Sequence, residues 1–277
     1  MKNTLKHFFC FILLFGITFS DAASLNYATW NLRWPDKRDI ASGDTWDKRV
    51  KPIADVIGFY DFDIIGLQEA RASQINDLFK YLNQYDVLQI DSLEDNPILL
   101  KKGTFKILEQ GRFYLSKTPS IQSKSWDATL VRFCTWVKLE KEGKNFFVFN
   151  VHFDYRGKKA QFESAKLMIK KIKEIAKDSP FILSGDFNFI DKTESYKMLA
   201  TNDIFRDAKK IATITYLPNG SYDYFDTQKF SPWQFDHIFV DKSIKVSRYG
   251  ILNETYYDGS KFRYPSDHLP ITIFLEF

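Results

Sequence analysis

The chain has 277 residues, of which 44% are apolar, 27% are charged and 17% are aromatic. This is the composition of a globular protein with a large core, and it excludes a disordered chain, a collagen-like fibre and a small disulfide scaffold. The formal net charge of +4 is compatible with a phosphate-bearing substrate, but it is too small to indicate nucleic-acid binding by itself.

Residues 1–22 have the pattern of a secretory signal peptide. Lys2 and Lys6 precede an apolar run over residues 8–19, and the small residues Ser20 and Ala22 then offer a cleavage site. The apolar run is short for a bilayer span, so an uncleaved anchor helix is only the alternative interpretation. We therefore expect export, to the periplasm or the medium, and no stable membrane anchor.

Residues 23–277 show no repeat, low-complexity stretch or linker, and they predict a single domain. Cys134 is the one cysteine of this part of the chain, and we expect it to be a small buried hydrophobic residue. The predicted elements, in chain order, are a strand over 25–31, a helix that begins after residue 44 or 45, a strand over 63–68, a helix over 72–82, short strands between 86 and 139, a strand over 145–151, a helix whose apolar face spans 165–176, and strands over 180–183, 235–240 and 269–277. Apolar strands that alternate with one-sided helices predict a layered α/β architecture.

Polar side chains recur where these apolar strands begin or end. The rim of a layered α/β sheet holds side chains rigidly, and functional sites gather there. Three of the four histidines belong to this set. Its members, in chain order, are Asn31, Glu69, His152, Asp154, Asp186, Asn188, Asp236, His237, Asp267 and His268.

The chemistry of these side chains indicates a metal-assisted reaction. Carboxylate and amide oxygens are hard ligands that suit Mg²⁺, Mn²⁺ or Ca²⁺, and histidines beside carboxylates can act as general acid or base or can bind a phosphate oxygen. The sequence has no phosphate-binding glycine loop, no serine nucleophile motif and no zinc-protease helix. We therefore predict hydrolysis of a phosphoester by a metal-activated water.

Each residue alone also has a structural explanation. Asn31 can form a turn, Glu69 can lie at a helix N-terminus, His152 can be a core histidine, and Asp186 and Asn188 can form an Asx turn. The functional interpretation depends on the complete ordered set rather than on any one member.

Six motifs, found in order between residues 29 and 270, resemble those of the endonuclease/exonuclease/phosphatase superfamily, which contains the deoxyribonuclease I-like enzymes. Shorter stretches over residues 45–49, 113–116, 124–128 and 152–157 are similar to an exported bacterial branch of it. The motifs are Thr29-Trp30-Asn31, Gly66-Leu67-Gln68-Glu69, Val151-His152-Phe153-Asp154, Ser184-Gly185-Asp186-Phe187-Asn188, Phe235-Asp236-His237-Ile238-Phe239 and Tyr264-Pro265-Ser266-Asp267-His268-Leu269-Pro270.

The resemblance implies a fold and a metal centre. The fold would be a four-layer α/β sandwich over residues 23–277, with two central mixed β-sheets and helices on the outside. Glu69 would be the main ligand of a catalytic Mg²⁺, with help from Asn31 and Asp267; Mn²⁺ or Ca²⁺ is the alternative ion.

The resemblance also implies roles for the remaining residues. Asp186 and Asn188 would position the attacking water and the phosphate, or would hold a second ion. His268, paired with Asp236, would activate the water or stabilise the charge of the transition state, and His152 would contact the phosphate or protonate the leaving oxygen. Candidates for the substrate pocket, whose alternative is a purely structural role, are Arg33, Trp46, Trp126, Asp154 and Arg156.

The substrate is less well defined by the sequence. Ala70 and Arg71 follow Glu69, and Leu269 follows His268, which departs from the motifs of abasic-site repair enzymes and of inositol-polyphosphate 5-phosphatases respectively. The first hypothesis is an extracellular nuclease that acts on DNA or RNA. The alternatives are a phosphatase or a sphingomyelinase-like phosphodiesterase on a small or lipid headgroup substrate, and a non-catalytic binding domain of the same fold; no obligate protein partner is expected.

Overall fold

The computed structural model describes residues 23–88 and 96–277. The signal peptide predicted over residues 1–22 lies outside the described residues. Within the described ranges, no helix combines the length and the apolar character that crossing a bilayer requires.

The described chain contains the predicted strands and helices in the expected order, together with short elements that the sequence pattern did not predict. The strands are β1 (Ser24–Asn31), β2 (Ile64–Gln68), β3 (Tyr85–Leu88), β4 (Ile98–Lys101), β5 (Lys106–Tyr114), β6 (Phe133–Lys141), β7 (Lys144–His152), β8 (Phe181–Asp186), β9 (Phe205–Asp207), β10 (Ile214–Tyr216), β11 (Asp236–Asp241), β12 (Lys245–Ile251), β13 (Tyr256–Tyr257), β14 (Phe262–Arg263) and β15 (Ile271–Glu276). The helices are α1 (Asp39–Ser42), α2 (Trp46–Tyr60), α3 (Ala72–Leu78), α4 (Lys158–Ala176), α5 (Glu194–Ala200) and α6 (Ala208–Ile211).

Two large mixed sheets form the centre of the fold. The first has the strand order β10-β12-β15-β1-β2-β4-β3, and the second has the order β5-β6-β7-β8-β11-β9. In the first sheet β1 runs parallel to β2 and antiparallel to β15. In the second sheet β7 runs parallel to β8 and antiparallel to β6.

Three hydrophobic clusters separate four layers, and they confirm the predicted sandwich. One cluster joins the inner faces of both sheets, for example Tyr27 of β1 and Val148 of β7. A second packs α2 and α3 against the first sheet, and a third packs α4 and α5 against the second sheet. Cys134 is fully buried within the third cluster, as predicted. Burial of these apolar faces is the main force that holds the layers together.

The two long helices form as their patterns predict. Helix α2 begins after Thr45, whose backbone is extended, and it buries Val50, Ile53 and Ile57 at helical spacing. Helix α4 buries one apolar face against the second sheet. Helix α3 was predicted to extend to residue 82, but it ends at Leu78.

Candidate active site

Parallel pairing brings the first polar strand ends together. In the first sheet Asn31 of β1 lies opposite Gln68 of β2, and Glu69 follows directly. In the second sheet His152 of β7 lies opposite Asp186 of β8. Since parallel strands end at the same edge of a sheet, each sheet presents its polar residues at one rim.

Antiparallel pairing brings the later segments to the same rim. Strand β11 begins at Asp236, which lies opposite Asp186. Strand β15 runs antiparallel to β1, with Ile271 opposite Thr29, so the segment just before β15 lies at the end of β1. The structure thus gathers, at one edge of the sandwich, what we call the edge cluster: Asn31, Glu69, His152, Asp186, Asp236, Asp267 and His268.

The side chain of Asn31 connects the two sheets. Its Nδ2 donates to Oδ2 of Asp186 at 3.0 Å and lies 3.4 Å from Oε1 of Glu69. Asn31 is 1% exposed and Asp186 is 2% exposed, so this contact is shielded from water. Asn188 follows Asp186 and donates its backbone N–H to Oδ1 of that carboxylate at 2.9 Å.

His268 and Asp236 form a buried hydrogen-bonded pair. Nδ1 of His268 lies 2.8 Å from Oδ2 of Asp236, and the hydroxyl of Ser221 donates to the same oxygen at 2.7 Å. The other ring nitrogen of His268 lies 3.8 Å from Oδ2 of Asp186. The pair therefore leaves Nε2 of His268 directed toward the centre of the edge cluster.

Two hydrogen bonds fix the segment that carries His268. The indole of Trp30 donates to the backbone carbonyl of His268 at 2.8 Å, and the hydroxyl of Ser266 donates to the carbonyl of Asn31 at 2.7 Å. Both bonds connect the loop before β15 to strand β1. The position of His268 is thus set by the rigid sheet and not by a free loop.

Burial and neighbouring charges raise the pKa values of three residues of the edge cluster. Burial opposes the charge of His268, but the carboxylates of Asp236 and Asp186 outweigh it and raise its pKa well above the ordinary value. Burial raises the pKa of Asp186 to about 7, and Asp236 adds to this while His268 opposes it. Burial raises the pKa of Asp267 as well, with a contribution from Glu69. The charges of the edge cluster are therefore strongly dependent on one another.

His152 is held by an arginine that the sequence analysis did not single out. The two terminal nitrogens of Arg132 lie 3.0 and 3.1 Å from Nδ1 and Nε2 of His152, and Nε2 also lies 3.4 Å from Oδ2 of Asp186. Burial, and then the positive charges of Arg132 and His268, hold the pKa of His152 well below its ordinary value. His152 is consequently neutral at neutral pH.

The arrangement fits a bound cation. Oδ1 of Asp236 and Oδ1 of Asp267 are buried and have no hydrogen-bond partner in the part of the chain that the structure describes. Ligand atoms of Asp186, Asp236 and His268 lie within 4.8 Å of one another, as a metal site requires. Buried carboxylates without partners are costly unless a cation neutralises them, and their oxygens are ligands for hard divalent ions.

The backbone is strained at three positions of this edge. Arg33, Glu69 and Asn188 have positive φ angles of 56°, 56° and 53°, a region that residues other than glycine occupy rarely. Each follows a strand end and redirects the chain. Gly185, with φ 144°, has no room for a side chain, because a Cβ there would lie 1.9 Å from the carbonyl oxygen of Val151.

Of the five candidates for the substrate pocket, Arg33 contacts the edge cluster. Its Nη1 lies 3.6 Å from Oδ2 of Asp267, while its Nη2 pairs with Asp39 at 3.0 Å. The backbone N–H of Arg33 also donates to Oδ1 of Asn31 at 2.9 Å. Arg33 is therefore positioned to contribute positive charge beside the buried carboxylates.

The two predicted tryptophans have other partners. Nε1 of Trp46 donates to Asp77 at 3.0 Å, and its ring lies against Arg49 on helix α2. Trp126 lines a cavity of about 360 Å³ beside helix α4. A role for either residue in substrate binding stays a prediction, and no contact with the edge cluster supports it.

Asp154 and Arg156 also lie outside the edge cluster. Asp154 is 3% exposed, and its carboxylate accepts hydrogen bonds from the backbone of Thr129, Leu130, Arg156 and Gly157. This is the contact pattern of a residue that fixes two loops. The guanidinium of Arg156 is exposed and lies over the ring of Tyr155.

Sequence reasoning missed two further neighbours of the cluster. Arg132 interrupts an apolar stretch, and a charged residue in such a place is a signal that could have found it. Trp34 donates its backbone N–H to Oε2 of Glu69 at 3.0 Å. Its sequence position beside Arg33 gave no sign of this contact.

Two mixed sheets packed face to face, with buried carboxylates and histidines gathered at one rim, define a deoxyribonuclease I-like fold. The chain belongs to the endonuclease/exonuclease/phosphatase family, which matches residues 28–268. Members of this family are phosphoester hydrolases that generally use a divalent metal ion.

Two solved structures from Bacteroides thetaiotaomicron are similar along nearly the whole chain. One is an endonuclease/exonuclease/phosphatase family protein, 38% identical, with a TM-score of 0.89 and coverage of 92% of this chain and 98% of that one. The other is a mannosyl-6-phosphatase, 37% identical, with a TM-score of 0.88 and coverage of 91% and 100%. The uncharacterised protein L388 of Acanthamoeba polyphaga mimivirus is 27% identical over 256 residues, 83% of this chain and 92% of its own length.

Proposed function

We propose that the protein is an exported, divalent-metal-dependent phosphoester hydrolase whose substrate is a small sugar phosphate. The observation that carries the catalytic part is the buried His268–Asp236 pair, joined at 2.8 Å, beside three further carboxylates of the edge cluster. This is a constellation for activating or stabilising an oxygen nucleophile at a metal-bound phosphate.

Glu69, Asp267 and Asn31 would hold the ion, and Mg²⁺ suits their oxygen atoms best. The bound ion would neutralise charge on the phosphoryl oxygens and lower the pKa of a water ligand. The triad of Asp186, Asp236 and His268 is a weaker choice for the first ion, because Nδ1 of His268 is already engaged by Oδ2 of Asp236. Mn²⁺ and Ca²⁺ are the alternatives that the same ligands would accept.

The remaining residues of the cluster would act on the phosphate and the water. His268, charged and oriented by Asp236, would stabilise the negative charge that builds on the phosphoryl oxygens. Asp186, whose Oδ2 lies 3.8 Å from Nε2 of His268, would orient the attacking water together with Asn188, whose backbone N–H donates to Oδ1 of Asp186. His152, held by Arg132, would contact a phosphate oxygen.

A small sugar phosphate is supported by the relatedness to a mannosyl-6-phosphatase, at 37% identity over 91% of this chain and all of that protein. Charge supports it too. Removal of residues 1–22 takes away Lys2, Lys6 and Asp21 and leaves 37 basic against 34 acidic residues, a net charge of +3, which is low for a protein that follows a nucleic-acid backbone.

Some lysines of helix α4 are paired with acidic residues. Lys166 pairs with Glu163 at 3.3 Å, and Lys171 pairs with Glu174 at 2.7 Å. These ion pairs neutralise part of the basic face, which lies on the outer layer of the sandwich. The nuclease that the sequence suggested first is therefore the alternative that the following test must separate.

The test compares substrates for the purified protein with Mg²⁺ or Mn²⁺. We expect release of phosphate from mannose 6-phosphate, inhibition by EDTA that added metal reverses, and turnover that changes little with salt. Plasmid DNA and sphingomyelin are the competing substrates. Efficient plasmid cleavage that falls steeply between low and high salt, with no phosphate release from the sugar, would instead support the nuclease.

Export is the second part of the proposal, and it rests on the signal-peptide pattern of residues 1–22. Expression of the full chain in a bacterial host, followed by cell fractionation, should place the protein outside the cytoplasm. Mass spectrometry should then show a mature N-terminus near residue 23. Recovery of the uncleaved chain in the membrane fraction would favour the anchor-helix alternative.

A further inference from the structure

A tryptophan and an arginine form a stacked pair beside Glu69. The guanidinium carbon of Arg71 lies 4.5 Å from the centre of the Trp34 ring. Trp34 is half-buried and Arg71 is exposed. Neither side chain belongs to the hydrophobic clusters of the fold, so the pair is not explained by core packing.

Trp34 is held by its backbone and by its indole nitrogen. Its backbone N–H donates to Oε2 of Glu69 at 3.0 Å, and its indole Nε1 donates to Oδ2 of Asp36 at 3.2 Å. Asp36 is itself held by ion pairs with Arg33 and Arg38. The indole is thus oriented in advance, which lowers the entropic cost of placing a ligand against it.

Arg71 is fixed by the start of helix α3. Its backbone N–H donates to Oε1 of Gln74 at 3.2 Å, and Nε2 of Gln74 donates to the carbonyl of Arg33 at 3.1 Å. Gln74 is fully buried and ties together the two loops that carry the pair. The guanidinium of Arg71 donates to no acceptor in residues 23–88 or 96–277, so its hydrogen-bond donors are available to a ligand.

The Trp34–Arg71 pair lies next to Glu69, the proposed ligand of the metal ion. Trp34 touches the carboxylate proposed to hold the ion, and Arg71 is two residues from that carboxylate in the chain. A group attached to a phosphate bound at the edge cluster would then lie near Trp34 and Arg71. An aromatic face packs against the C–H face of a pyranose ring, and a guanidinium donates to its hydroxyls.

We propose that Trp34 and Arg71 form the subsite for the sugar ring of the substrate, with Trp34 as the platform and Arg71 as the hydroxyl donor. This inference rests on the proposed function, since it concerns the leaving group of the same reaction. It adds the residues that distinguish a cyclic sugar phosphate from other phosphomonoesters.

The experiment measures kcat and KM for mannose 6-phosphate and for glycerol 3-phosphate, which carries the same phosphate without a ring. We expect Trp34→Ala to lower kcat/KM for the sugar phosphate about tenfold, mostly through KM, and to change the value for glycerol phosphate less than about twofold. Trp34→Phe, which keeps a ring, should retain most of the preference. Arg71→Met should raise KM for the sugar phosphate about fivefold.

Phe59→Ala is the matched control, because Phe59 is an exposed aromatic residue on helix α2. Equal losses on both substrates in Trp34→Ala would overturn the inference, since Trp34 would then act only by positioning Glu69. A preference of the wild type for adenosine 5′-monophosphate that Trp34→Ala removes would replace the sugar with a nucleobase and would also overturn it. Wild-type protein without activity on any phosphoester would defeat the proposed function itself, and the inference with it.

Discussion

Replacement of Asp154 by asparagine should destabilise the fold without removing a catalytic group. Oδ2 of Asp154 accepts the backbone N–H of Thr129 at 2.7 Å and of Leu130 at 2.9 Å, together with the hydroxyl of Thr129 at 2.7 Å. Oδ1 accepts the N–H groups of Arg156 at 3.0 Å and Gly157 at 2.8 Å. An asparagine amide retains one of the two oxygens and turns an N–H₂ group toward donors on the other side.

The expected loss follows from these bonds. Two backbone donors would lose a charged acceptor, and each costs about 1.5 kcal/mol when it is left buried and unsatisfied. We therefore expect a fall of about 3 kcal/mol in the free energy of unfolding, or roughly 6–10 °C in Tm for a domain of this size. The assay is urea unfolding at pH 7, followed by tryptophan fluorescence.

Asp178→Asn provides the control, because Asp178 is an exposed aspartate, and it should change the stability by less than about 0.5 kcal/mol. A loss below about 1 kcal/mol for Asp154→Asn would refute the structural role. Loss of turnover at unchanged stability would instead support the substrate-binding role that the sequence suggested for Asp154.

The carboxylate of Asp154 also makes the free energy of unfolding depend on pH. Burial favours its neutral form, but the hydrogen bonds from Gly157, Leu130, Thr129 and Arg156 outweigh burial and lower its pKa from 3.8 to about 2. A lowered pKa in the folded state stabilises the protein above the unfolded value, and this contribution disappears as the pH falls from about 4 toward 2. The stability difference between wild type and Asp154→Asn should therefore narrow over that interval.

Three further predictions concern the edge cluster. Glu69→Gln should lower activity at least about 100-fold and weaken binding of Mn²⁺ in calorimetry, because the carboxylate is the proposed ion ligand; full turnover in EDTA would contradict a metal-dependent reaction. Asp236→Asn should lower the pKa of His268, because it removes the carboxylate nearest to the imidazole, whose charge raises that pKa. NMR titration of the ring measures this pKa, and an unchanged value would show that the pair is not the cause. Gly185→Ala should lower the free energy of unfolding by about 3 kcal/mol or more, since its Cβ would meet the carbonyl of Val151 at 1.9 Å. A urea midpoint equal to that of the wild type would disprove the clash.

Much of the fold could be predicted from local pattern. Helix α2 combines a possible cap at Thr45 with apolar residues at helical spacing, and the strands that end at the site are short apolar runs. Strand β12 was not predicted, because Lys245 and Arg248 interrupt its apolar residues and it is recognised only by its pairing with β10 and β15. Helix α3 stops at Leu78, although Leu82 continues the apolar pattern and is buried just after the turn over residues 79–81.

The site shows the same division between local and distant information. Its polar residues follow or precede apolar strands, so their positions can be read from the sequence. Their neighbours depend on tertiary contacts that the residue types do not predict. The partner of Trp46 is Asp77, which lies 31 residues away, and Trp34 reaches Glu69 because Arg33 adopts a positive φ of 56°.

The placement of β15 governs the order in which the molecule can fold. This last strand lies between β1 and β12 in the first sheet, and it pairs with a strand at the other end of the described chain. A nascent chain that has emerged only through β12 holds Glu69 and Asp186, but it lacks His268 and the strand that completes the sheet. Such long-range pairing delays folding until nearly the whole chain is available, so an incomplete chain has no assembled site.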